Sequence, residues 1–254
     1  MKVTVIGAAA AFPGSSEICS GYLLQKGKTN LLIDCGNGVL SSLQNYINPA
    51  DITDIYISHM HADHFFDLVP YRYALYYRFG VAGDDRPKLH LPPGGIATLE
   101  NIVTSFAETD SFIADAFKPS EYAPEIPIVL LDFSLLPIKV NHYIPSYGVA
   151  TIGKPKITYS SDTGVCESLK KLAQNSDFMV CHVGNTLTSF SRGDSWGHLH
   201  PIQAGKLAEE SSVKRLLLSH IRPDNDKEAF KKEAANHFNN WLDIARTGDC
   251  YEIQ

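Results

Sequence analysis

A segment of six residues, His59-Met60-His61-Ala62-Asp63-His64, carries three imidazoles and one carboxylate. It directly follows an apolar run at 55–58 that predicts a buried strand. A loop at the end of such a strand can direct alternating side chains into one cleft. Histidine nitrogens suit zinc and its neighbours in the periodic table, and a carboxylate adds a charged oxygen. The segment therefore predicts a metal site, whose other ligands must come from elsewhere in the chain.

Three further polar residues stand at the ends of apolar runs that predict strands. His142 follows the run 136–141, Asp162 follows 156–160, and His220 follows 215–219. Taken one at a time, such residues mark only where a strand leaves the core. Beside the opening segment they become candidate ligands, because strand ends of this kind converge on one cleft.

The complete set of candidates permits two neighbouring metal ions that share one carboxylate. We assign His59, His61 and His142 to the first ion, Asp63, His64 and His220 to the second, and Asp162 to both. A shared hydroxide would complete each ion, since two adjacent cations acidify a water and stabilise both oxygens of an in-line displacement. All ligands are nitrogen or oxygen, which favours Zn²⁺, with Mn²⁺, Fe²⁺ or Ni²⁺ as alternatives.

Composition narrows the class of protein. The formal net charge of −6 gives no broad attraction for long nucleic acid or an anionic membrane. Five cysteines without C-x-x-C spacing favour a reducing compartment. The apolar stretch after Lys2 is too short for a signal peptide, and no run approaches the length of a membrane span. We therefore expect a cytoplasmic protein.

The order of predicted elements indicates the fold. Strands are predicted at 3–7, 21–24, 30–34, 55–58, 88–91, 126–131, 136–141, 148–152, 156–160, 178–181 and 215–219. Helices are predicted at 38–46, 65–79, 95–107, 165–174, 202–211 and 227–238. Hairpins followed by strand-helix alternation occur twice, up to about 112 and from about 126. This predicts one α/β (α+β) domain over residues 1–254, a four-layer αββα sandwich of two mixed sheets.

With its H-x-H-x-D-H pattern at 59–64, the chain resembles the metallo-β-lactamase superfamily. Residues 31–36 resemble the second-strand motif of that superfamily, which implies that Asp34 supports the metal loop without binding the metal itself. The resemblance runs from about residue 3 to residue 222. It implies a metallo-β-lactamase fold and a metal-dependent hydrolase.

Three later segments are similar to the RNase Z-like branch of this superfamily. Residues 141–148 resemble its third-histidine motif, 159–164 its Y-S-G-D-T motif with Ser161 replacing the usual glycine, and 197–204 its G-H-S-T-x-x-Q-A motif. In that branch the last histidine contacts the scissile phosphate and assists the leaving group, which implies this role for His198. His200 replaces the threonine, so its role is open. Alternatively, both histidines cap the helix that begins near Pro201.

Two departures argue against a transfer RNA substrate. RNase Z enzymes that mature transfer RNA carry a long arm between the third histidine and the bridging aspartate, whereas nineteen residues separate His142 from Asp162. The segment 181–186 resembles the H-E-A-T motif of the branch, but Val183 replaces the glutamate that orients the catalytic histidine. His182 matches the histidine of this motif, and a structural role in the core is an equal alternative.

The leading hypothesis is therefore a two-metal phosphodiesterase that acts on a cyclic nucleotide, a cyclic phosphate or a short oligonucleotide. Asp63 would bind metal and orient the nucleophile, and His198 would assist the leaving oxygen. The alternatives are an acyl hydrolase (lactonase or thioesterase) with the same ligands, a tRNA 3′-processing endonuclease, and a non-enzymatic scaffold. Relatives are commonly dimers, and the aromatic residues within 65–79 could form core, a homodimer interface or a surface that stacks on a base.

Overall fold

Two seven-stranded sheets pack face to face in the computed structural model, which describes residues 1–107, 109, 111–184 and 197–254. The first sheet contains, in spatial order, β14 (Cys250–Glu252), β1 (Lys2–Gly7), β2 (Gly21–Lys26), β3 (Thr29–Ile33), β4 (Asp54–Tyr56), β5 (Lys88–Leu91) and β6 (Lys118–Glu121). The second contains β13 (Trp241–Ile244), β12 (Arg215–Ser219), β11 (Phe178–His182), β10 (Ile157–Tyr159), β9 (Ser146–Ile152), β8 (Ser134–Val140) and β7 (Ile128–Val129).

Both sheets are mixed in the same way. The pairs β1–β2 and β2–β3 are antiparallel, and β3 to β6 run parallel. In the second sheet β7 to β10 are antiparallel, and β10 to β13 run parallel. The carboxyl ends of the parallel strands of each sheet therefore lie at one edge, which is where polar side chains can converge.

Over the ranges that the structure describes, seven α-helices cover the outer faces of the two sheets. They are α1 (Val39–Leu43), α2 (Ala62–Phe65), α3 (Leu68–Tyr73), α4 (Gly95–Val103), α5 (Glu167–Ala173), α6 (Pro201–Glu210) and α7 (Lys227–Ala235) among the described residues. In β3, Leu31 and Ile33 belong to the apolar core between the sheets, whereas Leu32 belongs to the core under the first helices. Because successive strand residues point to opposite faces, one strand serves two cores. The predicted αββα sandwich is confirmed.

Three strands were not predicted from the sequence, and all three lie at the edge of a sheet. These strands are β6, β13 and β14. Each has only three or four residues, and β6 contains Pro119. An edge strand needs no continuous apolar run and tolerates proline, so its sequence carries little signal. The last strand, β14, returns to pair with β1, so the second half of the chain completes the first sheet.

The single helix predicted over 65–79 is instead divided. Helix α2 begins at Ala62 within the histidine segment, α3 follows after a break, and a π-helical turn spans Ala74–Arg78. Pro70 has no N–H and is tolerated only in the first turn of a helix, so a helix can begin at Leu68 but cannot run through. Among the other helices, the predicted positions are correct to within a few residues.

In the described part of the chain, every helix is too short or too polar to cross a membrane. Of the segment 181–186, Asn185 and Thr186 lie outside the described residues.

Candidate metal centre

The candidate ligands come from the carboxyl ends of β4, β10 and β12 and from the end of β8, at the edge where the two sheets meet. His59, His61, Asp63 and His64 follow β4, and His142 follows β8. Asp162 and His220 follow the buried strands β10 and β12. Among the described residues, two clusters of possible ligand atoms share Asp162, one with His59, His61 and His142 and the other with His64, His182 and His220.

The first cluster consists of His59, His61, His142 and Asp162. Nδ1 of His61 lies 3.1 Å from Nε2 of His59 and 3.1 Å from Nε2 of His142. Oδ2 of Asp162 lies 3.7 Å from Nε2 of His59 and 3.9 Å from Nε2 of His142. These are the three histidines and the shared aspartate assigned to the first ion.

The second cluster is built around His64 and His220, whose Nε2 atoms are 3.3 Å apart. Asp162 approaches them through Oδ2 at 3.6 Å and Oδ1 at 3.4 Å, respectively. Oδ2 of Asp63 lies 3.2 Å from Nε2 of His220 and 3.7 Å from Nε2 of His64. The structure thus brings together every residue assigned to the second ion.

Hydrogen bonds on the outer ring nitrogens fix the direction of three imidazoles. Nδ1–H of His64 donates to Oδ2 of Asp34 at 2.7 Å, and Nδ1–H of His142 donates to the carbonyl of Gly197 at 2.8 Å. The carboxylate and the carbonyl only accept, so the single proton of a neutral ring lies on Nδ1 and its Nε2 presents a lone pair to the cluster. Nδ1 of His59 similarly lies 3.1 Å from Oγ of Ser58, whose proton goes to Asp34.

This arrangement fits divalent metal ions. The Nε2 lone pairs of His59 and His142 point toward Nδ1 of His61, and the carboxylate of Asp162 is the fourth member of this cluster. Acceptors that converge without protons between them repel one another unless a cation lies among them. The donor set is one that zinc and its neighbours prefer.

Burial and the neighbouring charges together set the protonation of the ligands. Burial lowers the pKa of His59, His61 and His142, so these imidazoles are neutral at neutral pH. Burial would raise the pKa of Asp162, but the neighbouring His220 and His64 hold it well below its usual range. The shared carboxylate is therefore ionised.

Asp34 fixes the loop that carries the ligands. Its Oδ1 accepts from the backbone N–H of Ser58 at 2.7 Å, and its Oδ2 accepts from the hydroxyls of Ser58 at 2.9 Å and Tyr159 at 2.5 Å. Close packing of the next turn requires glycine, because a Cβ at Gly36 would lie 1.9 Å from the carbonyl oxygen of Asp63. The supporting role that the resemblance implied for Asp34 has this physical basis.

His182 is a buried member of the second cluster that the sequence did not assign to a metal, and both of its ring nitrogens contact protein groups. Nδ1–H donates to Oδ1 of Asp162 at 2.8 Å, and Nε2 lies 3.0 Å from the hydroxyl of Tyr22. The ring therefore orients the shared carboxylate. Tyr22 comes from β2 of the opposite sheet, and nothing in the sequence distinguishes it from other strand tyrosines.

His198 and His200 have different surroundings. Nδ1 of His198 lies 3.9 Å from Oδ2 of Asp162, and its side chain is 24% exposed. Burial lowers its pKa to about 4, so the ring is neutral at neutral pH. His200 is the N-cap of α6, where its Nδ1 accepts from the N–H of Ile202 and Gln203 completes a capping box. Helix capping, one of the two alternatives from the sequence, describes His200.

A backbone contact at the centre had no signal in the sequence. The N–H of Ala11, in the loop after β1, donates to Oδ2 of Asp63 at 2.8 Å. Ala11 has a φ of 60°, a left-handed conformation that non-glycine residues seldom adopt. Any residue type supplies a backbone N–H, so only the folded loop reveals this contact.

Sequence comparison identifies relatives along nearly the whole chain. A family profile described as "Anti-Pycsar protein Apyc1" matches residues 1–239. The "Probable metallo-hydrolase YhfI" of Bacillus subtilis (strain 168) is 30% identical over 254 residues, covering 99% of this chain and 100% of that protein. A "Ribonuclease Z" of Myxococcus xanthus (strain DK1622) is 23% identical over 305 residues, covering 100% of this chain and 98% of that protein.

Structural comparison gives the same relationship. The crystal structure of YhfI, titled a metallo-beta-lactamase fold protein, superposes with a TM-score of 0.86 at 27% identity and covers 98% of each chain. A crystal structure titled "a New Diphosphatase from the PhnP Family" gives a TM-score of 0.74 at 17% identity, covering 100% of this chain and 98% of the other. At that identity the second likeness concerns the fold.

Proposed function

We propose that the chain, which belongs to the family described as anti-Pycsar protein Apyc1, is a two-metal phosphodiesterase. It is a metal-dependent hydrolase of the RNase Z-like branch of the metallo-β-lactamase superfamily. Its proposed substrate is a small phosphodiester: a cyclic nucleotide, a cyclic phosphate or a short oligonucleotide. The relative named ribonuclease Z supports phosphate chemistry.

The observation that carries the proposal is the position of Asp162. One carboxylate lies within 3.9 Å of ring nitrogens of both ligand clusters and of His198. A phosphodiester bound beside it would meet the metal ligands on one side and a hydrogen-bonding imidazole on the other. An in-line displacement at phosphorus needs both, because charge develops on the attacking and on the leaving oxygen.

Zn²⁺ is the proposed ion. Two such ions would supply positive charge for the non-bridging phosphate oxygens and would lower the pKa of a water held between them. Asp63 is proposed to orient the attacking water. In support, its Oδ2 contacts the N–H of Ala11 and Nε2 of His220, and although burial opposes this, His220 and His64 keep the pKa of Asp63 low.

His198 is the proposed donor to the leaving oxygen. Because its ring is neutral at neutral pH, it would act by donating an N–H hydrogen bond as the P–O bond breaks. The water oxygen would form the new bond to phosphorus while the P–O bond to the leaving oxygen breaks, and the proton that the water releases would end on the leaving oxygen. Gly184 favours this placement, since a Cβ there would lie 3.1 Å from Cγ of His198.

The short interval between His142 and Asp162 supports a small substrate. Strands β9 and β10 and their connection fill it, so this interval holds a hairpin where an arm would be inserted. We therefore propose that the chain has no long nucleic acid as a partner. We also propose that it has no membrane partner and is located in the cytoplasm. A homodimer is also proposed, and exposed aromatic side chains at Tyr73, Tyr76 and Tyr77 support it.

The test is hydrolysis by metal-free protein reconstituted with Zn²⁺ or Mn²⁺. Substrates would be bis(p-nitrophenyl) phosphate, a panel of cyclic nucleotides and cyclic phosphates, a lactone, a thioester and a precursor transfer RNA. Metal-dependent cleavage of the diesters is expected. Cleavage of only the lactone or thioester would make the chain an acyl hydrolase, and preferential cleavage of the RNA would restore the endonuclease assignment.

A further inference from the structure

Ser161 occupies a strained position next to the shared ligand. It has a φ of 56°, in the left-handed region where glycine is favoured, and it is completely buried. The motif that 159–164 resembles has glycine at this point. A serine that accepts strain beside Asp162 calls for a compensating interaction, since such strain is concentrated at functional sites.

The hydroxyl of Ser161 belongs to a chain of hydrogen bonds whose direction can be derived. Oγ of Ser146 donates its only proton to the backbone carbonyl of Asp162 at 2.9 Å. Oγ of Ser161 lies 2.9 Å from Oγ of Ser146, so Ser161 must be the donor of that bond. Having given its proton away, Oγ of Ser161 can only accept.

The acceptor side of Ser161 faces a proposed metal ligand. Its Oγ lies 3.4 Å from Nδ1 of His59. Ser58, the other neighbour of that nitrogen, donates its proton to Asp34, so Ser58 also accepts. Nδ1 of His59 therefore carries the proton and divides it between two hydroxyls, which leaves Nε2 unprotonated for the first cluster.

We propose that Ser161 is a positioning residue that couples His59 to Asp162. Its hydroxyl holds His59 in the metal-binding tautomer and, through Ser146, fixes the backbone of the shared carboxylate. This inference rests on the proposed metal centre. The strained backbone of Ser161 would lower the stability of the chain, and its hydroxyl would strengthen metal binding.

The experiment separates strain from hydrogen bonding with two substitutions at each of two serines. Ser161→Ala removes the hydroxyl and keeps the strain, whereas Ser161→Gly removes both. Ser212 is the matched control, because it is an exposed serine with a φ of 54° that lies outside the two ligand clusters. Ser146→Ala breaks the same hydrogen-bond chain at its next step.

Two quantities are measured on metal-free protein: the thermal midpoint, and the Zn²⁺ affinity by competition with a chromogenic chelator. Both Ser161 variants and Ser146→Ala should bind the Zn²⁺ of the first cluster about fivefold less tightly, the effect of one neutral hydrogen bond. The glycine variant should unfold at a higher temperature than the alanine variant at position 161, and likewise at 212. The Ser212 variants should keep the wild-type affinity.

Wild-type affinity in both Ser161 variants would overturn the proposal, as would equal losses in the Ser212 variants. The visible spectrum of the Co²⁺-loaded protein gives an independent readout, because a change in the orientation of His59 alters the ligand field. A wild-type chain that binds no Zn²⁺ would contradict the proposed function itself, so the two failures are distinct.

Discussion

His182 donates from Nδ1 to Oδ1 of Asp162 at 2.8 Å, and this bond orients the one carboxylate that both ligand clusters share. The proton must lie on Nδ1 because a carboxylate only accepts, so Nε2 of His182 accepts from the hydroxyl of Tyr22 at 3.0 Å. Tyr22 in turn accepts from Ser219 at 2.5 Å. A chain of bonds that runs from Ser219 through Tyr22 of the opposite sheet to His182 thus ends at the metal centre.

Replacing His182 should weaken metal binding. We expect His182→Ala to reduce Zn²⁺ affinity about 10- to 100-fold, the usual effect of losing a partner that orients a ligand. The matched control is His90→Ala, since His90 is also buried and donates to a carboxylate, that of Asp54, at 2.8 Å. The control should lose stability and keep its affinity. Equal affinities in the two variants would show that His182 does not orient Asp162.

Replacing Asp63 should abolish activity without unfolding the chain. Asp63→Asn removes the charge that would bind metal and orient the water, so kcat/KM should fall at least about 100-fold. Asp67→Asn is the control, because Asp67 likewise accepts a backbone N–H, that of Leu40, at 2.9 Å. Diester hydrolysis and circular dichroism of both variants give the comparison. Substantial activity in Asp63→Asn would contradict the role of Asp63.

The residues of the centre could be proposed from the sequence because each stands where an apolar strand ends, as His220 does after β12. The residues that support them could not. Tyr22 reaches His182 across the sandwich, and Ala11 contacts Asp63 through its backbone. Such contacts depend on how the two sheets pack, and a one-dimensional pattern does not contain that information.

The same reasoning explains which elements could be predicted. Central strands such as β12 are buried on both faces and have continuous apolar sequences, so they can be recognised. Edge strands such as β14 are defined by a neighbour distant in the chain, and pairing between Val3 and Tyr251 leaves no local trace. Prediction therefore succeeded at the centre of each sheet and at the edge strand β7, and it missed the other three edge strands.

Replacing His198 should affect the reaction according to the leaving group. For a cyclic nucleotide, whose leaving oxygen is an alkoxide, His198→Ala should lower kcat about 100-fold or more. For bis(p-nitrophenyl) phosphate the loss should be much smaller, because p-nitrophenolate needs little assistance. Zn²⁺ affinity should stay at the wild-type value, since His198 is not an assigned ligand. Equal losses on both substrates would contradict assistance to the leaving group.

Replacing His200 should affect stability instead of catalysis. His200 is the N-cap of α6, so His200→Ala should lower the free energy of unfolding by about 1 kcal/mol. Urea unfolding measures this cost, and kcat of the folded fraction should be unchanged. His200 follows His198 by two residues. A comparison of His200→Ala with His198→Ala therefore tests whether any substitution this close to the metal centre lowers activity. A large fall in kcat would assign His200 a catalytic role.

Removing metal should lower the thermal midpoint strongly. Without cations, two buried carboxylates, Asp63 and Asp162, face each other among converging histidine lone pairs. At free Zn²⁺ about 1,000-fold above the Kd of each site, each bound ion contributes about 4 kcal/mol. For a chain of this length, each contribution corresponds to a shift of about 8–16 °C. Titration of Zn²⁺ into chelator-treated protein should restore the midpoint only after two equivalents.

Mg²⁺ should not replace Zn²⁺ in this titration, because Mg²⁺ prefers oxygen ligands. Full recovery at one equivalent would contradict the two-metal centre.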